Sequence, residues 1–181
     1  MSAPIFTTVF VAALLLSTAI KLWLASRQLR HVLAHRDKVP EAFSAQVELS
    51  AHQKAADYTR AKTQLSMLTV LFEVTLLLAF TLGGGLQLLA DWSLATFSNP
   101  LAQGMAIIVA VLVLSSILET PFSLFSTFVI EARFGFNKMT LKLYLLDTAK
   151  GLLLGSILGL PLLLGILWLM ERMGEIGRAH V

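Results

Sequence analysis

The 181-residue chain contains no cysteine, and only 14% of its residues are charged. The absence of cysteine excludes disulfides, cysteine-ligated zinc sites and thiol nucleophiles. A soluble domain carries about 25% charged residues, whereas 56% of this chain is hydrophobic and its mean hydropathy is +0.77. The composition therefore indicates a membrane protein.

The basic residues outnumber the acidic residues by 14 to 11, which gives a net charge of +3. A nucleic-acid-binding protein clusters such residues on a water-exposed face, with aromatic or base-reading side chains between them. Here the basic residues lie in two short segments between apolar runs. We therefore expect the lipid bilayer as a partner, and no nucleic acid.

Four apolar runs are long enough, at about 20 residues, to cross a bilayer as helices. We predict an all-α, polytopic membrane protein with spans at about residues 5–24, 65–90, 101–130 and 151–170. Pro121 lies within the third run, where a proline removes a backbone donor and kinks a helix. The third span is therefore predicted to bend at Pro121.

Lysine and arginine in the short connections between spans mark the cytoplasmic side. Residues 25–64 contain seven of them and residues 131–150 contain four, whereas residues 91–104 contain none. The two basic segments, 25–64 and 131–150, are therefore predicted to be cytoplasmic, with the N-terminus outside. We expect an integral protein of the bacterial inner membrane.

The first basic segment includes a predicted cytoplasmic helix at residues 41–64. This stretch contains no proline and no glycine, and Ala, Lys, Glu and Gln are frequent in it, which favours helix. Two arrangements remain open. The helix lies on the bilayer surface as an amphipathic helix, or it is solvated and extends the second span inward.

His31 and His35 are four residues apart, so a helix places both on one face at the ligand spacing of zinc metallopeptidases. In the motif H-E-x-x-H a glutamate follows the first histidine and activates the metal-bound water, but Val32 stands there. Basic side chains nearby also repel a divalent cation. We predict no metal ligand, cofactor-binding residue or catalytic residue in this chain.

Glu73 and Glu119 are ionisable residues within predicted spans, where a charge is costly and suggests a functional role. We expect them to face protein or a water-filled cavity, Glu119 together with the kink at Pro121. The alternatives are that a neighbouring helix holds the Glu73 carboxyl protonated or hydrogen-bonded, and that the helix simply bends near Glu119.

Small residues repeat every four positions along the fourth span, at Gly151, Gly155 and Gly159. Such a ridge lets a neighbouring helix approach closely, so we assign these glycines to helix packing. Because the faces of the fourth span that meet other helices lack partners within the chain, we also predict that this span is the most loosely placed.

Two segments carry specific motifs. The second basic segment reads Phe128–Lys138 (FVIEARFGFNK), preceded by Pro121-Phe122-Ser123 and followed by Asp147 and Lys150. The first contains Arg27-Gln28, His35-Arg36, Val39-Pro40 and the run His52–Thr59 (HQKAADYT) ahead of Lys62. Together they closely resemble the N-terminal membrane region of the type I CAAX prenyl proteases, which are integral-membrane zinc metallopeptidases. Two motifs in the right order make the resemblance specific.

The resemblance implies a protease whose ring of helices encloses a large chamber. Zinc would be held by an H-E-x-x-H helix and a more distant glutamate, and a zinc-bound water would attack the peptide carbonyl. Substrates in this family are prenylated CAAX segments or, in bacterial relatives, misfolded or membrane-lodged proteins. The catalytic residues are expected C-terminal of Val181, so the chain is predicted to be inactive alone.

On this resemblance, residues 1–174 form the chamber wall and support a missing C-terminal metallopeptidase domain. Glu131, Arg133 and Asn137 form a structural corner where the third span meets the cytoplasm. The alternative hypothesis is a non-enzymatic membrane scaffold or a transporter-like subunit.

The last seven residues, 175–181 (EIGRAHV), resemble the translation of a common sequencing-library adapter. We predict that this tail is not native and exclude it from fold reasoning. The nucleotide record tests the prediction. Adapter sequence is expected at these codons, and ordinary genomic sequence that continues to a genuine stop codon would contradict it.

Overall fold

The computed structural model describes residues 2–178, and of residues 171 and 174–178 only the backbone. Within this range there are five α-helices: α1 (Ala3–Ala34), α2 (Leu49–Thr81), α3 (Gly85–Thr96), α4 (Pro100–Phe125) and α5 (Leu141–Arg178). A 3₁₀ turn, Glu41–Phe43, precedes α2, and a π-helical segment, Ser126–Glu131, extends α4. The all-α prediction is confirmed. The predicted tail, residues 175–181, falls outside the described residues except for the backbone of 175–178.

Four helices in the described range are long and apolar enough to cross a membrane. They are Ala3–Ala34, Leu49–Thr81, Pro100–Glu131 and Leu141–Met170, which confirms the four predicted spans. Large apolar side chains stay exposed along these helices, among them Leu16, Leu112 and Leu158. Exposed apolar surface of this kind suits hydrocarbon, and a helix satisfies its own backbone hydrogen bonds there.

The chain divides into two compact units, each of which is formed by two segments. Unit 1 comprises residues 1–78 and 119–138, and unit 2 comprises residues 79–118 and 139–181. The buried apolar residues of unit 1 are Ala56, Ile130 and Phe134. In unit 2, Ser93 is fully buried, and its hydroxyl donates to the Gln103 carbonyl at 3.0 Å. This bond joins α3 to α4.

The second span ends earlier than predicted. The apolar run continues to residue 90, but α2 ends at Thr81 and α3 is a separate helix. Gly84, which precedes α3, has a φ of +82°, in the left-handed region that only glycine adopts at little cost. The second span itself is confirmed, but its predicted end at residue 90 is wrong, because the glycines that the prediction included form a turn.

The predicted helix 41–64 also differs from the structure. Residues 41–43 form only a 3₁₀ turn, and the helix begins at Leu49 and runs without a break into the apolar part of α2. Of the two arrangements, the one observed is a helix that continues directly into the second span. A separate amphipathic helix on the bilayer surface is not present in this region.

The third span runs through Pro121 without a break in the helix and continues as the π-helical segment to Glu131. Its predicted bounds of 101–130 are close to those observed. The bend at Pro121 stays a prediction. A π-helical segment has an i→i+5 hydrogen-bond pattern and widens the turn, so the segment changes which residues face the same side.

The glycine ridge of α5 faces open space within unit 2. A Cβ atom added at Gly151, Gly155 or Gly159 would meet no atom within 4 Å. No helix in the described part of the chain therefore packs closely on this ridge, and its packing role stays a prediction. The apolar window of α5 contains no buried residue, but neither do those of α2 and α4. The looser placement of the fourth span therefore also stays a prediction.

We expect Gly84→Ala to lower the free energy of unfolding by about 1 kcal/mol, because an L side chain at positive φ is strained. No atom lies within 4 Å of a Cβ at Gly84, so the cost comes from the backbone alone. Gly165→Ala is the matched control, because this helical glycine also has open space around it and alanine favours helix. Equal stabilities of the two variants in detergent, followed by circular dichroism on heating, would contradict the role of Gly84.

Candidate functional site

The helix that ends at residue 131 is closed by a tight turn. The Phe136 N–H donates to the Glu131 carbonyl at 2.8 Å, and the Gly135 N–H donates to the Ala132 carbonyl at 3.1 Å. This pair of bonds is the Schellman pattern, with Gly135 in the left-handed region at a φ of +75°. The Asn137 N–H also donates to the Glu131 carbonyl, at 3.1 Å. Two of the predicted corner residues, Glu131 and Asn137, are thus joined through the backbone.

Lys62 of α2 contacts the end of the third span. Its ammonium group donates to the Glu131 Oε1 at 3.1 Å and to the Ser126 hydroxyl at 2.7 Å. The two charged side chains are 38% and 29% exposed, so the ion pair is only partly screened by solvent. A hydrogen bond between charged partners is stronger than a neutral one. The contact fixes where α2 and the end of the third span meet.

Aromatic rings pack beside this ion pair. The Tyr58 ring meets Phe134 edge-on at 5.5 Å and Phe136 at 4.9 Å between centroids. Phe134 is buried, and the Lys54 ammonium lies 5.6 Å from the Phe136 centroid. Each aromatic pair of this geometry contributes about 1 kcal/mol beyond the area that it buries. We call the set formed by Tyr58, Lys62, Ser126, Glu131 and residues 134–137 the interface corner.

A second ionic contact joins the connection after α1 to α2. The Arg36 guanidinium donates to both carboxylate oxygens of Asp57, each at 2.8 Å, and also to Asp37 at 3.0 Å. The hydrogen bond with Asp57 raises the pKa of Arg36 above its usual range, so the guanidinium stays charged. The Gln53 amide donates to Asp37 at 2.9 Å. This contact is not predictable from the sequence pattern, because Arg36 and Asp57 are 21 residues apart and no local spacing relates them.

His31 and His35 lie at the end of α1, with ring centroids 4.3 Å apart. The Nδ1 atom of His35 is 2.8 Å from the His31 carbonyl oxygen, to which it donates. The ring of His52 donates in the same way to the His35 carbonyl at 2.9 Å. Within residues 2–178 no group of three or more His, Asp or Glu side chains is placed to hold a metal ion.

The two glutamates within the spans are exposed rather than buried. Glu73 lies on α2 and makes no ion pair with any described residue. Glu119 lines an open cavity of about 340 Å³ in unit 1 together with Lys62, Phe122 and Ser126. Pro121 is exposed next to this cavity but does not line it. The structure thus brings Glu119 close to the interface corner and leaves Glu73 apart from it.

Arg133 is exposed on the other side of the interface corner. Its guanidinium carbon lies 5.8 Å from the Phe134 ring centroid. Arg133 lines a second cavity of unit 1, of about 410 Å³, together with Asp57, Arg60 and Phe134. Arg60 was not singled out in the sequence, because it is one of several arginines in the first basic segment. The distribution of charge along the sequence gives no reason to distinguish Arg60 from those other arginines.

Residues 28–177 match the protein family described as CAAX prenyl protease N-terminal, five membrane helices. In the described part of this chain, the four long spans and the 12-residue α3 together make five α-helices.

Curated relatives carry the same family name. The probable CAAX prenyl protease 1 of Schizosaccharomyces pombe is 31% identical over 152 residues, which cover 76% of this chain and 31% of that protein. The CAAX prenyl protease 1 homolog of Caenorhabditis elegans is 32% identical over 168 residues, which cover 91% and 37%. The chain thus spans about a third of the length of these relatives.

The fold also resembles that of a solved structure. The crystal structure of S. mikatae Ste24p superposes with a TM-score of 0.80 at 24% identity, over 89% of this chain and 38% of that one. At this identity the likeness concerns the fold alone. It covers nearly all of the helices described above.

We expect the Lys62 and Glu131 side chains to be coupled by about 1 kcal/mol, at the upper end of partly exposed ion pairs. A double-mutant cycle of Lys62→Met and Glu131→Gln, followed by unfolding in detergent, measures this coupling. The control pair is Asp147 and Lys150 on α5, which are 3.9 Å apart and more exposed. Coupling at Lys62 and Glu131 no larger than that of the control pair would contradict a structural role for the interface corner.

Proposed function

Because the chain belongs to the CAAX prenyl protease family as its N-terminal membrane domain, we propose that it forms part of the wall of a membrane-embedded protease chamber and supports a catalytic domain. The family match over residues 28–177 carries this proposal. The same residues include both motifs and all of the interface corner. The alternative of a non-enzymatic scaffold or transporter-like subunit is not favoured by this membership.

The proposed parent enzyme is a zinc metalloendopeptidase, and the described residues do not supply its metal site. His31 and His35 lack a third ligand and a neighbouring glutamate. We propose that zinc is held by an H-E-x-x-H helix encoded downstream of Val181. There the metal would provide an activated water for hydrolysis of a peptide bond. The substrate that we propose is a protein or peptide, with a prenylated CAAX end as the first candidate.

The proposed role of the interface corner is to hold the end of the third span rigidly. The Lys62 ion pair and the Schellman turn fix the direction in which the chain leaves Glu131. Arg133 and Asn137 follow in this turn, so they are proposed to support the catalytic domain. Glu73, Glu119 and Pro121 are proposed to belong to the chamber wall, since Glu119 already lines a cavity.

The protein is an integral membrane protein, and its orientation is proposed. The contact between Lys62 and Glu131 joins the two basic segments, which supports their location on one side of the bilayer. By the distribution of lysine and arginine this is the cytoplasmic side. The relatives named above are eukaryotic, so they lend no support to a bacterial inner membrane, which stays a prediction.

The gene sequence and a peptidase assay test the proposal together. We expect an H-E-x-x-H motif in the native gene downstream of the codon for residue 174, and zinc-dependent cleavage of a farnesylated CAAX peptide by the whole gene product. His31→Ala is expected to retain this activity, whereas replacement of the downstream motif glutamate by glutamine abolishes it. Residues 1–174 alone are expected to be inactive.

A substitution in the interface corner gives a second test of the proposal. Glu131→Gln is expected to lower kcat/KM of the whole protein by about tenfold, because a small displacement of positioning groups has a large effect on rate. Lys150→Met on α5 is the control and is expected to retain activity. Cleavage by residues 1–174 alone, lost on His31→Ala, would overturn the proposal.

A further inference from the structure

Two arginines line one open cavity of unit 1. The cavity has a volume of about 410 Å³, and its walls are Asp57, Arg60, Ala61, Gln64, Arg133 and Phe134. Arg60 belongs to α2, and Arg133 is helical, directly before the turn at residues 134–135 that follows the third span. The fold thus brings together guanidinium groups that are 73 positions apart in the sequence. We call this the two-arginine cavity.

The charge of the two-arginine cavity is positive. Its single carboxylate, Asp57, already accepts two hydrogen bonds from Arg36, so that charge is compensated from outside the cavity. Neither Arg60 nor Arg133 has an acidic partner within 4 Å among the side chains that the structure describes. The two arginines therefore line a shared space whose one carboxylate, that of Asp57, is hydrogen-bonded to Arg36.

The two-arginine cavity lies at the edge of the apolar region. Arg60 comes five residues before Leu65, where the second apolar run begins, and Arg133 comes two residues after Glu131, where the third span ends. A long basic side chain at the end of a span places its charge at the level of the lipid headgroups. The ligand that reaches this level most directly is a membrane lipid.

Arginine is suited to a phosphate ligand, because its planar guanidinium offers paired N–H groups to two oxygens at once. Phe134 is buried, and its ring lies 5.8 Å from the guanidinium carbon of Arg133, which limits the positions open to that side chain. The Gln64 amide adds a neutral donor to the same wall. The guanidinium groups of Arg60 and Arg133 and the amide of Gln64 can together donate to a single phosphate group.

We propose that the two-arginine cavity binds the phosphate group of an anionic phospholipid, with Arg60 and Arg133 as its donors. The lipid would then bridge α2 and the turn after the third span, parallel to the ion pair between Lys62 and Glu131. Binding would add a lipid-dependent link to the interface corner. The inference concerns a lipid site and is independent of proteolysis.

The test uses the whole gene product in detergent, titrated with phosphatidylglycerol and, separately, with zwitterionic phosphatidylcholine. Bound lipid is counted by native mass spectrometry. We expect phosphatidylglycerol to bind at least tenfold more tightly than phosphatidylcholine. Arg60→Gln and Arg133→Gln are each expected to weaken phosphatidylglycerol binding by about tenfold, which corresponds to about 1.4 kcal/mol.

Arg30→Gln is the matched control, because Arg30 is an exposed arginine at the basic end of α1 and does not line the cavity. It removes the same charge and should change the affinity less than twofold. Arg60→Lys and Arg133→Lys keep the charge without the planar fork, so they should bind more tightly than the glutamine variants. If a glutamine variant does not fold, the lysine variants are compared with the parent protein instead. Because they lack the planar fork, they should bind phosphatidylglycerol less tightly than the parent protein.

Inorganic phosphate separates the two sources of a phosphate group. If the site selects a lipid, millimolar phosphate displaces little phosphatidylglycerol, because the acyl chains add their own contacts with the apolar spans. Equal affinity for both lipids, equal effects of Arg60→Gln and Arg30→Gln, or full displacement of lipid by inorganic phosphate would each overturn the proposal.

Discussion

The structure depends on one constraint, which is that backbone polar groups within a bilayer find no water and must pair with each other. Long helices satisfy this condition locally, and the four spans do so with apolar side chains left exposed on their surfaces. Few residues are buried, because lipid takes the place that a protein core would fill. The helices are interrupted at residues with special backbone geometry. Two such residues are Gly84 and Gly135, which have positive φ.

The specific polar contacts of unit 1 are concentrated at its basic end. There Arg36 holds Asp57 and Lys62 holds Glu131, both across helix boundaries. In water such exposed ion pairs contribute little to the free energy of unfolding. At the edge of a membrane they determine where α2 meets the connection after α1 and the end of the third span. The family motif of residues 128–138 coincides with this region, and the turn explains its glycine. A helix that must stop and reverse at the headgroup level needs a residue that tolerates positive φ and a carbonyl that accepts several donors.

The four spans could be predicted from the lengths of the apolar runs, whereas the structure added what depends on distant contacts. The roles assigned to Glu131, Arg133 and Asn137 on the family resemblance stay predictions, as does the orientation that the charge distribution predicts. The end of α2 at Thr81 was missed because hydropathy continues through Gly83–Gly85, and only the backbone angle at Gly84 shows the turn. The bond of Arg36 to Asp57 and the cavity shared by Arg60 and Arg133 could not be predicted, since no periodicity relates these residues. The zinc ligands of the proposed parent enzyme could not be predicted either, because the given sequence contains no H-E-x-x-H motif.

The π-helical segment before the turn has a consequence for insertions and deletions. Ser126 and Glu131 both reach Lys62, although residues five apart on an ideal α-helix point about 140° away from each other. The wider turn takes up one extra residue, so that residues five apart lie on one side, as residues four apart do on an ideal α-helix. Removing a single residue between Ser126 and Glu131 would let the segment return to α-helical geometry with both residues still facing Lys62, whereas adding one residue would turn the following connection toward a different side. The segment therefore tolerates the loss of one residue better than the gain of one.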